Sequence, residues 1–142
     1  MAYAPRRAVI RFAVMLGAAV VLLAAVLVTS GRATPQTVAV TIRHSQFAPA
    51  HFTVSRGATV RFTITNSDPI DHEFILGDEA VQRRHEVGTE PSHGRVPGEV
   101  SVPAGAVGET NYTFSRAGVV LIGCHAPGHY AYGMRGWVLV AY

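Results

Sequence analysis

Gly123-Cys124-His125-Ala126-Pro127-Gly128-His129-Tyr130-Ala131-Tyr132-Gly133-Met134 sets a thiol, an imidazole and a thioether at the spacing Cys-x4-His-x4-Met. Apolar β runs flank it, residues 119–123 before and 137–142 after, so the stretch is one loop between two strands. Cysteine and methionine sulfurs are soft ligands suited to copper, and imidazole suits copper in both oxidation states. Two His and one Cys in a plane, with a weak axial Met, make a type 1 (blue) copper site. The loop offers three of those four side chains, and the fourth has to be a His from elsewhere in the chain.

Working outward, Val38, Val40 and Ile42 alternate with polar or small neighbours, as do Val60, Phe62 and Ile64. Both runs read as half-buried strands. Ser55-Arg56-Gly57 reads as a tight turn between 51–54 and the second run, and Asn66-Ser67-Asp68-Pro69 closes that run with strong turn chemistry. Further β runs follow at 72–76, 100–102 and 110–114. Seven or eight short strands predict an all-β sandwich over residues 34–142. Residues 77–97 break the pattern. Asp78 to Glu86 reads as a short helix, with Asp78 as N-cap and Gly88 as its stop, and 89–97 as loop.

These residues resemble the cupredoxins, the plastocyanin and azurin superfamily, across most of 37–142. The resemblance includes the opening Pro49-Ala50-His51-Phe52-Thr53-Val54-Ser55-Arg56-Gly57-Ala58-Thr59-Val60-Arg61-Phe62. It implies a Greek-key β-sandwich with one type 1 copper ion held by His72, Cys124, His129 and Met134. His72, in Pro69-Ile70-Asp71-His72-Glu73-Phe74, stands where that family has its first ligand. The spacing of the ligand loop is similar to that of rusticyanin and auracyanin. Glu73 departs from the family, where Asn or another small polar residue often follows the first His. The resemblance further implies one-electron transfer rather than enzymatic turnover, with a redox partner docking at the apolar collar of His129. Residues 73–77 and the polar segment holding His85-Glu86 are similar to periplasmic cupredoxins linked to copper tolerance. On that alternative, the chain binds copper for tolerance, storage or delivery, with His44, His85 or His93 as accessory ligands.

His125 raises a further alternative, because Cys followed by His resembles the last domain of multicopper oxidases. A trinuclear cluster draws on His-x-His pairs, and none occurs among the seven His of this chain. That disfavours a single-chain oxidase and leaves an oligomeric copper oxidoreductase as the remaining enzymatic option. Side chains of neighbouring residues on an extended strand face opposite sides, so His125 is expected to point away from copper. His44, His51, His85 and His93 each stand alone in sequence, and solvent exposure is the default for such a residue. One Cys excludes an internal disulfide framework and a c-type haem motif.

A formal charge of +3 and a pI near 9.5 invite a nucleic-acid reading. Arg6, Arg7, Arg11 and Arg32 fall in the first 33 residues with no acid beside them, however, and the remainder holds eight Arg against nine acids. The excess therefore belongs to a leader, and no nucleic-acid partner is expected. Residues 12–28 are an unbroken apolar run ahead of Gly31-Arg32-Ala33. Residues 1–33 are expected to be a signal peptide or membrane anchor helix, exporting 34–142 to the periplasm or the outer face of the membrane. Contact with a membrane is expected only through 12–28, if the leader is not cleaved.

Overall fold

The computed structural model describes residues 36–88, 93 and 96–142; the leader and most of the 89–97 loop lie outside these. Among the described residues, nine strands and one helix form: β1 (Gln36–Ile42), β2 (Phe47–Ala48), β3 (His51–Ser55), β4 (Thr59–Asn66), β5 (His72–Gly77), α1 (Glu79–Glu86), β6 (Glu99–Val102), β7 (Val107–Thr113), β8 (Gly118–Gly123) and β9 (Arg135–Ala141). They make a sandwich of two sheets, ordered β2-β1-β4-β7 and β3-β9-β8-β5-β6. Pairing is antiparallel except for β1 with β4 and β3 with β9, which are parallel. Of the two, β3 with β9 joins strands from opposite ends of the described residues, while β1 and β4 are linked through β2 and β3.

The alternation seen in the sequence decides what faces inward. Val60, Phe62 and Ile64 on β4 are fully buried, as are Val40 and Ile42 on β1, while the residues between them face solvent or are half-buried. Phe62 sits at the centre, with ring centroids 5.7 Å from Phe52, 5.3 Å from Phe74 and 6.4 Å from Phe114. Truncating so enclosed an aromatic ring costs about 3–5 kcal/mol, so the sandwich depends on this cluster.

The two-residue β2 has no counterpart in the sequence reading. It follows a tight turn at His44 and Ser45, both at φ of 53°, with Arg43 and Gln46 exchanging backbone hydrogen bonds. Positive φ at both central residues is the hairpin turn that suits strand twist, but Gly or Asn usually marks it.

The expected helix is present, and Asp78 caps it by accepting from the Val81 N–H at 3.0 Å. Eight residues cannot sustain a helix alone, and Gln82 is its one buried residue. Polar contacts hold it instead. Gln82 Nε2 donates to the carbonyls of Ile75 and Leu121, which fastens α1 to the outer side of β5 and β8.

Candidate metal centre

Sheet register brings the predicted residues together. Ile75 pairs with Gly123, and Gly123 with Arg135, so β5, β8 and β9 sit side by side. His72 opens β5, and Cys124 directly follows β8 at the same end of the sheet. The connecting loop folds back on itself: Met134 N–H donates to the His129 carbonyl, and Cys124 N–H to the Met134 carbonyl. Gly128 and Gly133 adopt φ of 80° and 99°, which glycine enters without strain.

Three donor atoms converge there. His72 Nδ1 lies 3.2 Å from His129 Nδ1, and Cys124 Sγ lies 3.8 Å and 3.4 Å from the same two nitrogens. The point equidistant from all three is about 2 Å from each, a metal–nitrogen bond length and a few tenths of an ångström short of a metal–sulfur one. Two imidazoles and a thiol at this separation fit a copper ion, and the donor set is soft enough to favour it. Met134 is buried in the same core cluster as Cys124, and its carbonyl accepts from the Cys124 N–H.

A metal has to compete with a proton at Cys124 but not at His129. Burial pushes the Cys124 thiol up to about 11, against the pull of the Glu73 and Ala126 N–H groups. A metal-free protein therefore keeps this thiol protonated at neutral pH, and metal binding displaces that proton. Glu73 N–H points at Sγ from 3.3 Å, a donor suited to thiolate. Burial, then the charge of His72, lowers the pKa of His129 and favours its neutral form, the one that ligates.

Sequence reasoning missed Asp68. Its Oδ2 lies 3.0 Å from His72 Nε2, and its two oxygens accept from His44 N–H at 2.7 Å and Ser45 N–H at 2.8 Å. The Ser45 N–H contributes most to holding this carboxyl below the usual carboxylate range. A carboxylate on the far nitrogen orients a ligating imidazole and fixes its tautomer. The signal was present as Asp four residues before His72, but turn chemistry alone accounted for it. Asn66 braces the same turn, donating to the carbonyls of Ile70, Val102 and Pro103 and accepting from Asp68 N–H.

His125 is not part of the triangle. Its Nε2 donates to Gln82 Oε1 at 2.7 Å, its Nδ1 lies 2.8 Å from Glu86 Oε2, and its ring stacks on Tyr130. Burial lowers its pKa, and Glu86 pulls it back up. His44 and His51 are exposed as expected, with His51 stacked on Trp137. His85 and His93 depart from that default: their side chains are 7% and 4% exposed. Around His129, Pro127, Ala131 and Tyr132 face solvent, Tyr132 at 93%.

Residues 15–94 match the protein family described as Cupredoxin-like domain, a span that includes His72 and ends before Cys124. The copper-resistant cuproprotein CopI of Rubrivivax gelatinosus is 44% identical over 98 residues, covering 67% of this chain and 59% of that protein. The chain thus spans well under two thirds of this relative. CopI of Pseudomonas aeruginosa is 29% identical, covering 66% of this chain and 70% of that one. Among solved structures, auracyanin B superposes with a TM-score of 0.64 at 24% identity, over 77% of this chain and 91% of its own. The auracyanin of Roseiflexus castenholzii gives 0.65 at 22%, over 75% and 98%. Auracyanin A of Chloroflexus aurantiacus, described as a "blue" copper protein, gives 0.59 at 24%, over 75% and 99%. These structures share the fold.

Proposed function

The chain belongs to the cupredoxin-like family and has copper as its cofactor, and from that premise we propose that it is an exported one-electron carrier with a single type 1 site. The triangle of His72 Nδ1, Cys124 Sγ and His129 Nδ1 carries this reading. These three residues would hold the ion in a plane, with Met134 as the weak axial ligand. Bound there, copper supplies a reversible one-electron couple. The chain's own part is to keep the donors still. His72 is fixed by Asp68, the loop by its own backbone hydrogen bonds, and Cys124 by the core around it. Donors that do not move between oxidation states keep the reorganisation energy low. The exposed rim of Pro127, Ala131 and Tyr132 would receive a redox partner next to His129, and an apolar, sparsely charged rim suits a brief encounter. Transfer without bound substrate makes the chain a carrier, not an enzyme.

Copper loading tests this directly. One equivalent should give an intense thiolate-to-copper absorption that ascorbate bleaches and a mild oxidant restores. A protein that stays colourless with copper bound defeats the proposal. Met134→Leu should keep the colour and raise the reduction potential in a redox titration, because even a weak axial donor stabilises the more highly charged copper(II) more than copper(I), and leucine donates nothing. Loss of the site in that variant would remove Met134 from the ligand set.

A second reading, copper tolerance, is favoured by the 44% identity to a protein named copper-resistant. It uses the same site. Deleting the gene in its host should then reduce growth on elevated copper, whereas a pure electron carrier would leave copper sensitivity unchanged.

A further inference from the structure

A second group of metal-binding side chains lies beneath α1. One donor atom each from His85, His93 and Glu99 falls within 4.8 Å of the other two. Their side chains are 7%, 4% and 10% exposed, so this is not a chance surface cluster. Three different elements supply them: the last turn of α1, the segment before β6, and β6 itself. Register explains the meeting. Glu73 pairs with Ser101 and Ile75 with Glu99, so Glu73 and Glu99 are diagonal neighbours on one face of the sheet. The backbone N–H of His93 donates to Ser101 Oγ at 2.9 Å, which fastens His93 over that same face.

Hydrogen bonding selects which nitrogen each ring offers. His85 Nδ1 lies 2.9 Å from the Val81 carbonyl, an acceptor only, so this nitrogen carries the proton. That leaves Nε2 facing Glu99 Oε2 at 3.4 Å. His93 Nε2 lies 3.0 Å from Glu73 Oε1, so the proton sits there and Nδ1 faces the same Glu99 oxygen at 3.6 Å. In their neutral forms, both rings therefore aim a lone pair at a carboxylate oxygen. Lone pairs converging on an anion repel unless a cation lies between them. A proton on one ring would bridge to Glu99 and leave the other lone pair facing it, while protons on both would set two imidazolium rings with centroids 4.7 Å apart in a largely buried place, where like charges disfavour each other. A divalent ion resolves the conflict. The carboxylate of Glu73, on the outer nitrogen of His93, then plays the part that Asp68 plays for His72.

We propose that His85 Nε2, His93 Nδ1 and the Glu99 carboxylate form a second metal site, for a borderline divalent transition ion and above all copper(II). Two imidazoles and a carboxylate, with no sulfur, are nitrogen and oxygen donors, and copper(II) binds such sets most tightly of the common divalent ions. The donor set is separate from the triangle and does not depend on the type 1 assignment. Glu73 joins the two: its backbone N–H points at Cys124 Sγ and its carboxylate at His93. His125, with its ring 5.7 Å from His85, closes the wall between them without entering either donor set.

Titration of copper(II) into the full chain tests the site, followed by electron paramagnetic resonance and visible absorption. Wild type should take two equivalents. Cys124→Ser should lose the intense band and keep one copper(II) with a tetragonal nitrogen and oxygen spectrum. Adding His93→Gln or His85→Gln to Cys124→Ser should weaken that binding by more than about 10–100-fold, the loss typical of disturbing an outer partner alone. His93→Gln by itself should retain the intense band, which reports that the fold is intact. The proposal is overturned if Cys124→Ser binds no copper(II), or if neither His substitution changes what it binds. Failure of the type 1 reading looks different: wild type then lacks the intense band, yet still binds one copper(II) that the His85 and His93 substitutions remove.

Discussion

The triangle at His72, Cys124 and His129 and the cluster at His85, His93 and Glu99 are built from opposite faces of one sheet. Consecutive residues feed both sides. His72 and Cys124 turn toward the interior; Glu73 and His125, one position on, turn toward the layer under α1. The two-residue period of extended chain thus sorts donors by chemistry. The inner face collects sulfur and imidazole and places no carboxylate among the donors. The outer face collects imidazole and carboxylate and no sulfur. Softness follows from facing, so each side presents a different preference to copper(I) and copper(II).

Asp68 gives the largest expected effect that separates the two sides. Asp68→Ala should weaken copper at the triangle by about 10–100-fold, because His72 loses the partner on its far nitrogen. It also removes the acceptor of the His44 and Ser45 N–H groups, which water can partly replace, at about 0.5–1.5 kcal/mol for each bond lost. Competition titration and thermal melting read the two effects separately. Binding at the outer cluster should not change, since Asp68 touches none of its members. An equal loss at both sites would mean that the two are not independent.

How much of this was legible beforehand follows from how far apart the interacting residues lie. The ligand loop was readable because Cys124, His129 and Met134 fall within eleven residues bounded by β runs. His72 was placed by the resemblance to the cupredoxins, whose first ligand follows such a turn, and α1 by its cap. Asp68 was read correctly as a turn residue, yet its second role depends on a hairpin 23 and 24 residues away. β2 was missed because His44-Ser45 lacks the usual turn residues. The outer cluster was missed as a cluster because the pairing of β5 with β6 creates it, and single His residues give no sign of such a pairing. His85 and His93 could be named from the sequence, but Glu99 could not.

Gly123 tests the partition between the faces from the backbone. A Cβ there would strike Gln82 Oε1 and come within 2.8 Å of the Tyr130 ring. Gln82 both fastens α1 and accepts from His125, so it cannot retreat without disturbing the outer layer. Gly123→Ala should therefore lower stability by about 1–3 kcal/mol, the usual range for overpacking. The intense band should persist if the strain is taken up on the outer side. Its loss would show that the two faces share one rigid wall at this position.

The smallest effect is expected at Tyr132, which is 93% exposed on the loop carrying His129. Replacing so exposed a side chain should change stability by no more than about 0.5 kcal/mol and leave the spectrum alone. Its value lies in the rate of electron self-exchange, where two copies must bring their His129 rims together. Tyr132→Asp puts a negative charge on each rim. Two such charges at close approach in water repel by about 1 kcal/mol, or roughly a fivefold fall in rate. Added salt should restore most of it, since exposed charges are screened over about 8–10 Å at moderate ionic strength. A rate unchanged by Tyr132→Asp at low salt would move the exchange route away from His129. The Pro127, Ala131 and Tyr132 rim would then be ordinary surface, and the inner site would reach its partner by some other face.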